Sequence, residues 1–444
     1  MLSHPSQTIN EQQATMTYEE VVVYCEMFSE KIKGEQCCAI ACNSEMMSAI
    51  ALLSCFAANI TAVPMPMKYG AQACNKILDS VNPTAIITDN NDSLDVIRLS
   101  SYKHISHSPF PALIMCTSGT TGKPKGIMLS EKNILTNVKD ILKYFDIDGT
   151  DSILIARPLY HCAVLTGELL TSLVKGVHIR FFSEKFNPAK IWKLIRFYNI
   201  TVFCGTPTIF QMLLSLGKSV SQSTLKTICI SGECLGEELG RKIDSFFHQC
   251  QIYHVYGLTE ASPRVSYLPP NLFSSYPDFV GIPLQSNQIL IKSETGAICK
   301  PNQAGTIWIK GENIMMGYYN NPCKTKATIQ NGWLNTGDIG LINETGLLKI
   351  LGRKDQLIIR AGMNTYPAEI ENTLITDSRV NEILAYGYQT RYGTKIGIKI
   401  CGDFHSIDEV KSLCNKLLPP HQVPSKIELL HTLDKNFSGK TVRK

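Results

Sequence analysis

Apolar positions between Thr17 and Lys33 recur at helical spacing (Val21, Val22, Tyr24, Cys25, Phe28, Ile32), which predicts an amphipathic surface helix. Beyond it, helical stretches alternate with short β-rich runs: Thr61 to Val63, Ala85 to Thr88, Ala112 to Cys116, Ser152 to Ala156, Val177 to Phe182, Thr201 to Cys204, Thr227 to Ile230 and Ile252 to Val255. Such alternation predicts an α/β region built on largely parallel sheets. From about Val280 the texture changes. Strand-like runs follow closely (Gln288 to Lys292, Gly305 to Lys310, Gly340 to Ile342, Leu347 to Ile350), separated by Gly, Asn and Pro, and predict an antiparallel unit. The last part mixes helical patterns (Pro367 to Thr376, Ile407 to Leu418) with strands (Glu382 to Tyr388, Gly397 to Cys401), as a small α+β unit would.

The longest apolar stretch, Ala49 to Val63, is broken by Ser54, Asn59 and Thr61. It is shorter than the ~20 residues a membrane helix needs, so a buried helix leading into a strand is expected, with no membrane span. At 444 residues the chain exceeds one compact core, and two or more packed units are expected. Hydrophobic residues make up 44% and charged residues 18%, an ordinary globular balance. The net charge of +5 is mild and no segment concentrates Lys and Arg, which excludes nucleic acid as the expected partner. Residues Met1 to Met16 carry no export pattern. The sixteen cysteines are scattered without a Cys-x-x-Cys pair, so reduced thiols and a cytoplasmic location are expected rather than disulfides or a zinc site.

Cys116-Thr-Ser-Gly-Thr-Thr-Gly-Lys-Pro-Lys-Gly126 follows an apolar strand and packs three glycines, four hydroxyl residues and two lysines into eleven positions. Glycine lets backbone N–H groups approach a ligand, hydroxyls donate further hydrogen bonds, and lysine supplies point charge; together they suit a polyphosphate. A Walker A loop is excluded, because only two residues separate Gly119 from Gly122 and Pro124 follows Lys123.

This string resembles the phosphate loop of the adenylate-forming superfamily: acyl- and aryl-CoA ligases, peptide-synthetase adenylation domains and beetle luciferases. Tyr256-Gly-Leu-Thr-Glu260, Trp333-Leu-Asn-Thr-Gly-Asp338, Gly352-Arg-Lys-Asp355 with Gly362 and Pro367-Ala-Glu-Ile-Glu371, and Ser438-Gly-Lys440 resemble further motifs of that family, in its order. Thr17 to Glu20, Val63-Pro64, Gly281 to Pro283 and Gly311 to Tyr318 are weaker matches. The resemblance covers nearly the whole chain. It implies a large N-terminal domain of two α/β subdomains plus a small β-rich subdomain (residues 1–352), and a mobile α+β C-terminal domain (residues 353–444) that closes and rotates about Asp355.

The resemblance also implies roles. Thr117, Ser118, Gly119, Thr120, Thr121, Gly122 and Lys125 would hold the β- and γ-phosphates of ATP. Gly232, Glu233, Tyr256 and Gly257 would form the adenine slot. Thr259 would bond the α-phosphate, and Glu260 would ligate Mg²⁺, a hard cation that prefers carboxylate and phosphate oxygen. Asp338 would accept from the ribose hydroxyls, Arg353 would contact ribose or phosphate, and Lys440 would be the catalytic cation that offsets charge building at phosphorus. His254 stands where the family often has Asn as an adenine contact. The segments before Thr17 and between Asn91 and Phe110 are shorter than usual, which predicts a trimmed N-terminal domain.

Amino-acid-activating members often carry Phe-Asp after the phosphate loop, whereas this chain reads Arg157-Pro-Leu-Tyr-His-Cys162. That is more similar to acyl- and aryl-acid ligases, with His161 at the carboxylate end of the acid or gating its pocket. The implied reaction joins a small-molecule carboxylic acid to coenzyme A or to the phosphopantetheine arm of an acyl or peptidyl carrier protein. A stand-alone amino-acid adenylation enzyme and a non-catalytic nucleotide-binding homologue are the rival readings. Joint retention of Glu260, Asp338, Arg353 and Lys440 argues against the second.

Overall fold

Runs such as Ile153-Leu154-Ile155, Val202-Phe203-Cys204 and Thr227-Ile228-Cys229-Ile230 are apolar at successive positions, so both faces of each strand must be covered. In the computed structural model they lie side by side and in parallel at the centre of a nine-stranded sheet. The structure describes residues 4–90, 93–99, 110–118, 124–217, 224–360, 363–390 and 393–434. Strand Gln251–Gly257 continues this sheet in parallel, and Arg264–Leu268 and Ile282–Pro283 close that edge antiparallel. The opposite edge is the hairpin Thr8–Glu11 and Ala14–Thr17. The short segment before Thr17 thus completes a sheet, although its four-residue strands carry too little periodicity to be read beforehand.

A second, seven-stranded sheet includes strands Cys37–Ile40, Thr61–Pro64, Leu113–Ser118 and Pro124–Leu129. Helix Glu45–Ala57 connects the first two, which resolves the Ala49 to Val63 run into helix and strand. Helix Tyr18–Lys31 begins at a capping box between Thr17 and Glu20, which satisfies its first free N–H groups. The β-rich unit is a five-stranded sheet whose pairings are all antiparallel. Its strand Trp333–Ile342 pairs with Leu348–Arg353, setting Asp338 opposite Arg353.

From Ile358 onward the chain closes an apolar core of its own, including Ile370, Leu374, Ile396, Ile398, Ile400, Val410 and Leu413. Its sheet holds strands Val380–Thr390, Gly393–Gly402 and Lys426–Leu429, flanked by helices Pro367–Leu374 and Ile407–Leu417. No helix among the described residues is long and apolar enough to cross a membrane.

Candidate active site

Where the nine-stranded sheet, the β-rich sheet and the C-terminal elements meet, they enclose a cleft of about 400 Å³. Its walls include Gly232, Glu233, His254, Tyr256, Gly257, Asp338 and Arg353, with Pro367, Glu371 and Leu384 from the C-terminal side. Gly232 follows strand Thr227–Ile230 with a φ of +89°, a left-handed conformation that favours glycine. Ligand sites favour such seams between folded units.

Three side chains form a hub in this cleft. The Tyr256 hydroxyl donates to Oδ2 of Asp338 at 2.5 Å, and Nη1 of Arg353 donates to Oδ1 at 3.1 Å and to the Thr336 carbonyl at 3.1 Å. Gly337 sits at φ +72°, and a Cβ there would lie 3.2 Å from Arg353 Nη2, so the Thr-Gly-Asp sequence opens room for the guanidinium. Burial raises the Asp338 pKa against the opposing pull of Arg353 and Tyr256. Each carboxylate oxygen has two lone pairs and spends one within the protein, so the second remains for a vicinal diol. The hub holds that acceptor pair rigidly.

Glu233 lines the cleft, but its Oε2 accepts from the Thr208 amide at 3.1 Å and hydroxyl at 2.7 Å, capping the first turn of helix Pro207–Leu214. His254 is buried, and its Nδ1 lies 3.1 Å from the Pro277 carbonyl. Burial pushes its pKa down to about 4, so the ring is neutral at pH 7.

A second cluster lies beyond the hub. Strand Gln251–Gly257 ends in a short helical turn, Thr259–Ala261, that carries Thr259 and Glu260. A Cβ on Gly257 would meet the Pro263 carbonyl oxygen at 2.2 Å, so glycine alone lets the chain return this closely. Tyr318 donates its hydroxyl to Glu260 Oε1 at 3.0 Å, and the Lys324 ammonium sits 4.9 Å from the centre of the Tyr318 ring. Lys125 reaches the same place from strand Pro124–Leu129, where it pairs with Thr117. Glu260 is near enough to the hub to push the Asp338 carboxyl up. In the sequence Tyr318 only closes the weak Gly311 to Tyr318 match, and Lys324 belongs to no motif.

His161 stands just before the short helix Cys162–Val164 with its ring 4.4 Å from that of Tyr160, and it does not line the cleft. The same segment contributes a buried ion pair: Arg157 Nη2 donates to Glu168 at 2.6 Å while Arg157 Nη1 reaches Ser231 at 3.4 Å. The pair therefore underlies Gly232. Gly119, Thr120, Thr121, Gly122, Gly362 and Lys440 lie outside the described residues, as does the side chain of Ser118.

Among the described residues no group of three or more His, Cys, Asp and Glu side chains converges as a metal cage. A cation at Glu260 would draw its other ligands from phosphate and water, which suits magnesium and not structural zinc. None of the sixteen cysteines is in a disulfide.

The model of the AMP-binding enzyme family matches residues 101–319. The chain is 30% identical over 367 residues to an oxalate–CoA ligase of Arabidopsis thaliana, spanning 81% of this chain and 70% of that one. A long-chain-fatty-acid–CoA ligase of Haemophilus influenzae is 32% identical over 346 residues; the match spans 75% of this chain and 61% of the ligase, less than two thirds of its length. In structure the chain is similar to the o-succinylbenzoate–CoA synthetase of Bacillus subtilis solved with its acyl-adenylate intermediate, at 25% identity and a TM-score of 0.84 over 98% of this chain and 94% of that one.

Proposed function

Because the chain belongs to the AMP-binding enzyme family, we propose that it is an ATP-dependent acid–thiol ligase that activates an acyl or aryl acid as its adenylate and passes the acyl group to coenzyme A. The observation that carries this reading is the Tyr256–Asp338–Arg353 hub, a fixed acceptor for a ribose within a cleft of about 400 Å³.

A substrate carboxylate oxygen attacks the α-phosphorus of ATP, the bond from that phosphorus to the β-phosphate bridging oxygen breaks, and pyrophosphate leaves. The thiol sulfur then attacks the acyl carbonyl, its proton is lost, and AMP departs. In the first step Thr117, Lys125 and the loop residues Ser118, Gly119, Thr120, Thr121 and Gly122 hold the β- and γ-phosphates. Thr259 orients the α-phosphate, Tyr256, Gly257 and Gly232 bound the adenine, and Asp338 with Arg353 anchors the ribose. Glu260 would hold magnesium, which would neutralise charge on the phosphates. Lys440 supplies the cation between two anions that otherwise repel. His161 is assigned to the acid side of the site.

The roles of Glu233 and His254 are assigned differently from a direct adenine contact. Glu233 fixes the entry to helix Pro207–Leu214, and His254 holds the loop at Pro277, so both shape the slot through the backbone. Residues 353–444 are assigned to a separately moving unit, a reading supported by the apolar core that Ile358 to Leu429 close among themselves. Relatives that are named CoA ligases favour coenzyme A over a carrier protein as acceptor. The reaction belongs in the cytoplasm, where thiols stay reduced, in keeping with sixteen cysteines none of which is in a disulfide.

ATP–pyrophosphate exchange across fatty, aryl, dicarboxylic and amino acids, with Lys440→Ala alongside, tests the reading. Exchange with a simple acid, lost in the variant, is expected. Exchange with amino acids alone would assign the chain to amino-acid adenylation, and ATP binding without exchange on any acid would leave a nucleotide-binding scaffold.

A further inference from the structure

Two lysines from different parts of the chain meet beside Glu260. Lys125 arrives on the strand that leaves the phosphate loop. Lys324 arrives on helix Pro322–Thr328, which follows the two-residue strand Gly317–Tyr318, and that strand pairs with the one carrying Lys125 through Tyr318 and Ile127. The geometry is held from several sides. The Thr325 hydroxyl accepts from the Tyr318 amide at 2.9 Å, the Asn321 side chain accepts from the Lys324 amide at 3.0 Å, and the Lys324 ammonium lies over the Tyr318 ring at 4.9 Å. The hydroxyl of that same ring donates to Glu260.

Lys324 and Lys125 stand close enough to act on each other directly, and Glu260 is the anion that faces Lys324. Two half-buried cations held together by the fold raise the free energy of the resting protein, and a polyanion between them lowers it. Lysine is a point charge on a long stem, suited to a phosphate oxygen without fixed angular demand.

We propose that Lys324 is a second lysine of the phosphate site, which binds the departing pyrophosphate end of ATP together with Lys125. This rests on the adenylate-forming reading, because only that chemistry places a β,γ-phosphate here. It adds to that reading a positively charged side chain from the β-rich unit, outside the phosphate loop. Tyr318 positions it: one ring supports the Lys324 cation on its face and Glu260 at its hydroxyl.

The test is calorimetric titration of the full-length protein, Lys324→Met and Lys324→Arg with MgATP, magnesium pyrophosphate and AMP. AMP lacks the phosphates that Lys324 would touch, so it reports the rest of the site. Lys324→Met is expected to lose about ten- to a hundredfold in affinity for MgATP and pyrophosphate, the range for one charge-assisted contact, and less than twofold for AMP. Lys324→Arg is expected to restore most of the loss. Unchanged MgATP and pyrophosphate affinity in Lys324→Met would overturn the proposal, as would an equal loss for all three ligands. Wild-type protein that binds neither MgATP nor AMP would instead overturn the adenylate-forming reading on which it rests.

Discussion

Asp338 and Arg353 lie directly opposite each other on paired antiparallel strands, with Arg353 Nη1 3.1 Å from Asp338 Oδ1, although 15 positions separate them along the chain. The register places one at the floor of the cleft and the other at its rim: the Asp338 side chain is 10% exposed, the Arg353 side chain 45%. Such a pair contributes little to folding, since half of it faces water. Its use is to hold a carboxylate in one orientation.

Removing that carboxylate should act on nucleotide affinity. Asp338→Ala is expected to raise KM for ATP by about ten- to a hundredfold, with a smaller change in kcat, because a ribose anchor, the role proposed for it, would be engaged in ground and transition states alike. Tyr256→Phe deletes only the 2.5 Å bond to Oδ2 and should raise KM by under tenfold. Steady-state exchange kinetics at varied ATP check both. A fall in kcat at constant KM would place the hub in the chemical step instead.

Glu260→Gln keeps shape and removes charge. A loss of about 10²–10³ in kcat is expected, with saturation moved to higher magnesium. Tyr318→Phe retains the carboxylate and loses its 3.0 Å bond, so a loss under tenfold is expected. A magnesium titration of the initial rate separates the two variants.

Gly257→Ala sets a methyl group against the Pro263 carbonyl oxygen, 2.2 Å away. Backbone cannot swing aside as a long side chain can. The expected cost is about 1–3 kcal/mol, seen in urea unfolding, with activity lost well below the melting temperature because Tyr256 and Thr259 shift together.

Breaking the Arg157–Glu168 pair leaves an unpaired guanidinium under Gly232. Glu168→Ala is expected to cost about 3–5 kcal/mol in urea unfolding. Replacing both residues by leucine should cost less than the single change, because the Arg157 charge is then no longer stranded. A double variant less stable than Glu168→Ala would contradict that account.

His254 should leave a signature in acid. Its folded pKa of about 4 lies below its ordinary 6.5, so the unfolded chain binds the proton first. Stability is therefore lost as pH falls from about 6.5 to 4, by about 3 kcal/mol in all from this group. His254→Asn keeps a hydrogen-bonding side chain without titrating, and its melting temperature should fall less between pH 7 and pH 5 than that of the wild type. Parallel curves would remove His254 as the cause.

Much of this protein was decided within single segments. The double-faced apolar runs could only be covered strands, Thr17 with Glu20 set the start of a helix, and the glycine-hydroxyl-lysine string after Cys116 has the composition that suits a polyphosphate. Local chemistry suffices there, because burial period, capping and backbone freedom depend on neighbours a few residues apart. Other features come into being only when distant segments meet. Thr8–Glu11 becomes an edge strand because Ile9 pairs with Ile179, and Glu233 becomes a helix cap because Thr208 arrives beside it. Lys324, indistinguishable in sequence from a solvated lysine, joins Lys125 and Glu260 only through the pairing of Tyr318 with Ile127. A side chain's charge is written in its identity, but what that charge does depends on which partners and how much water the fold leaves around it.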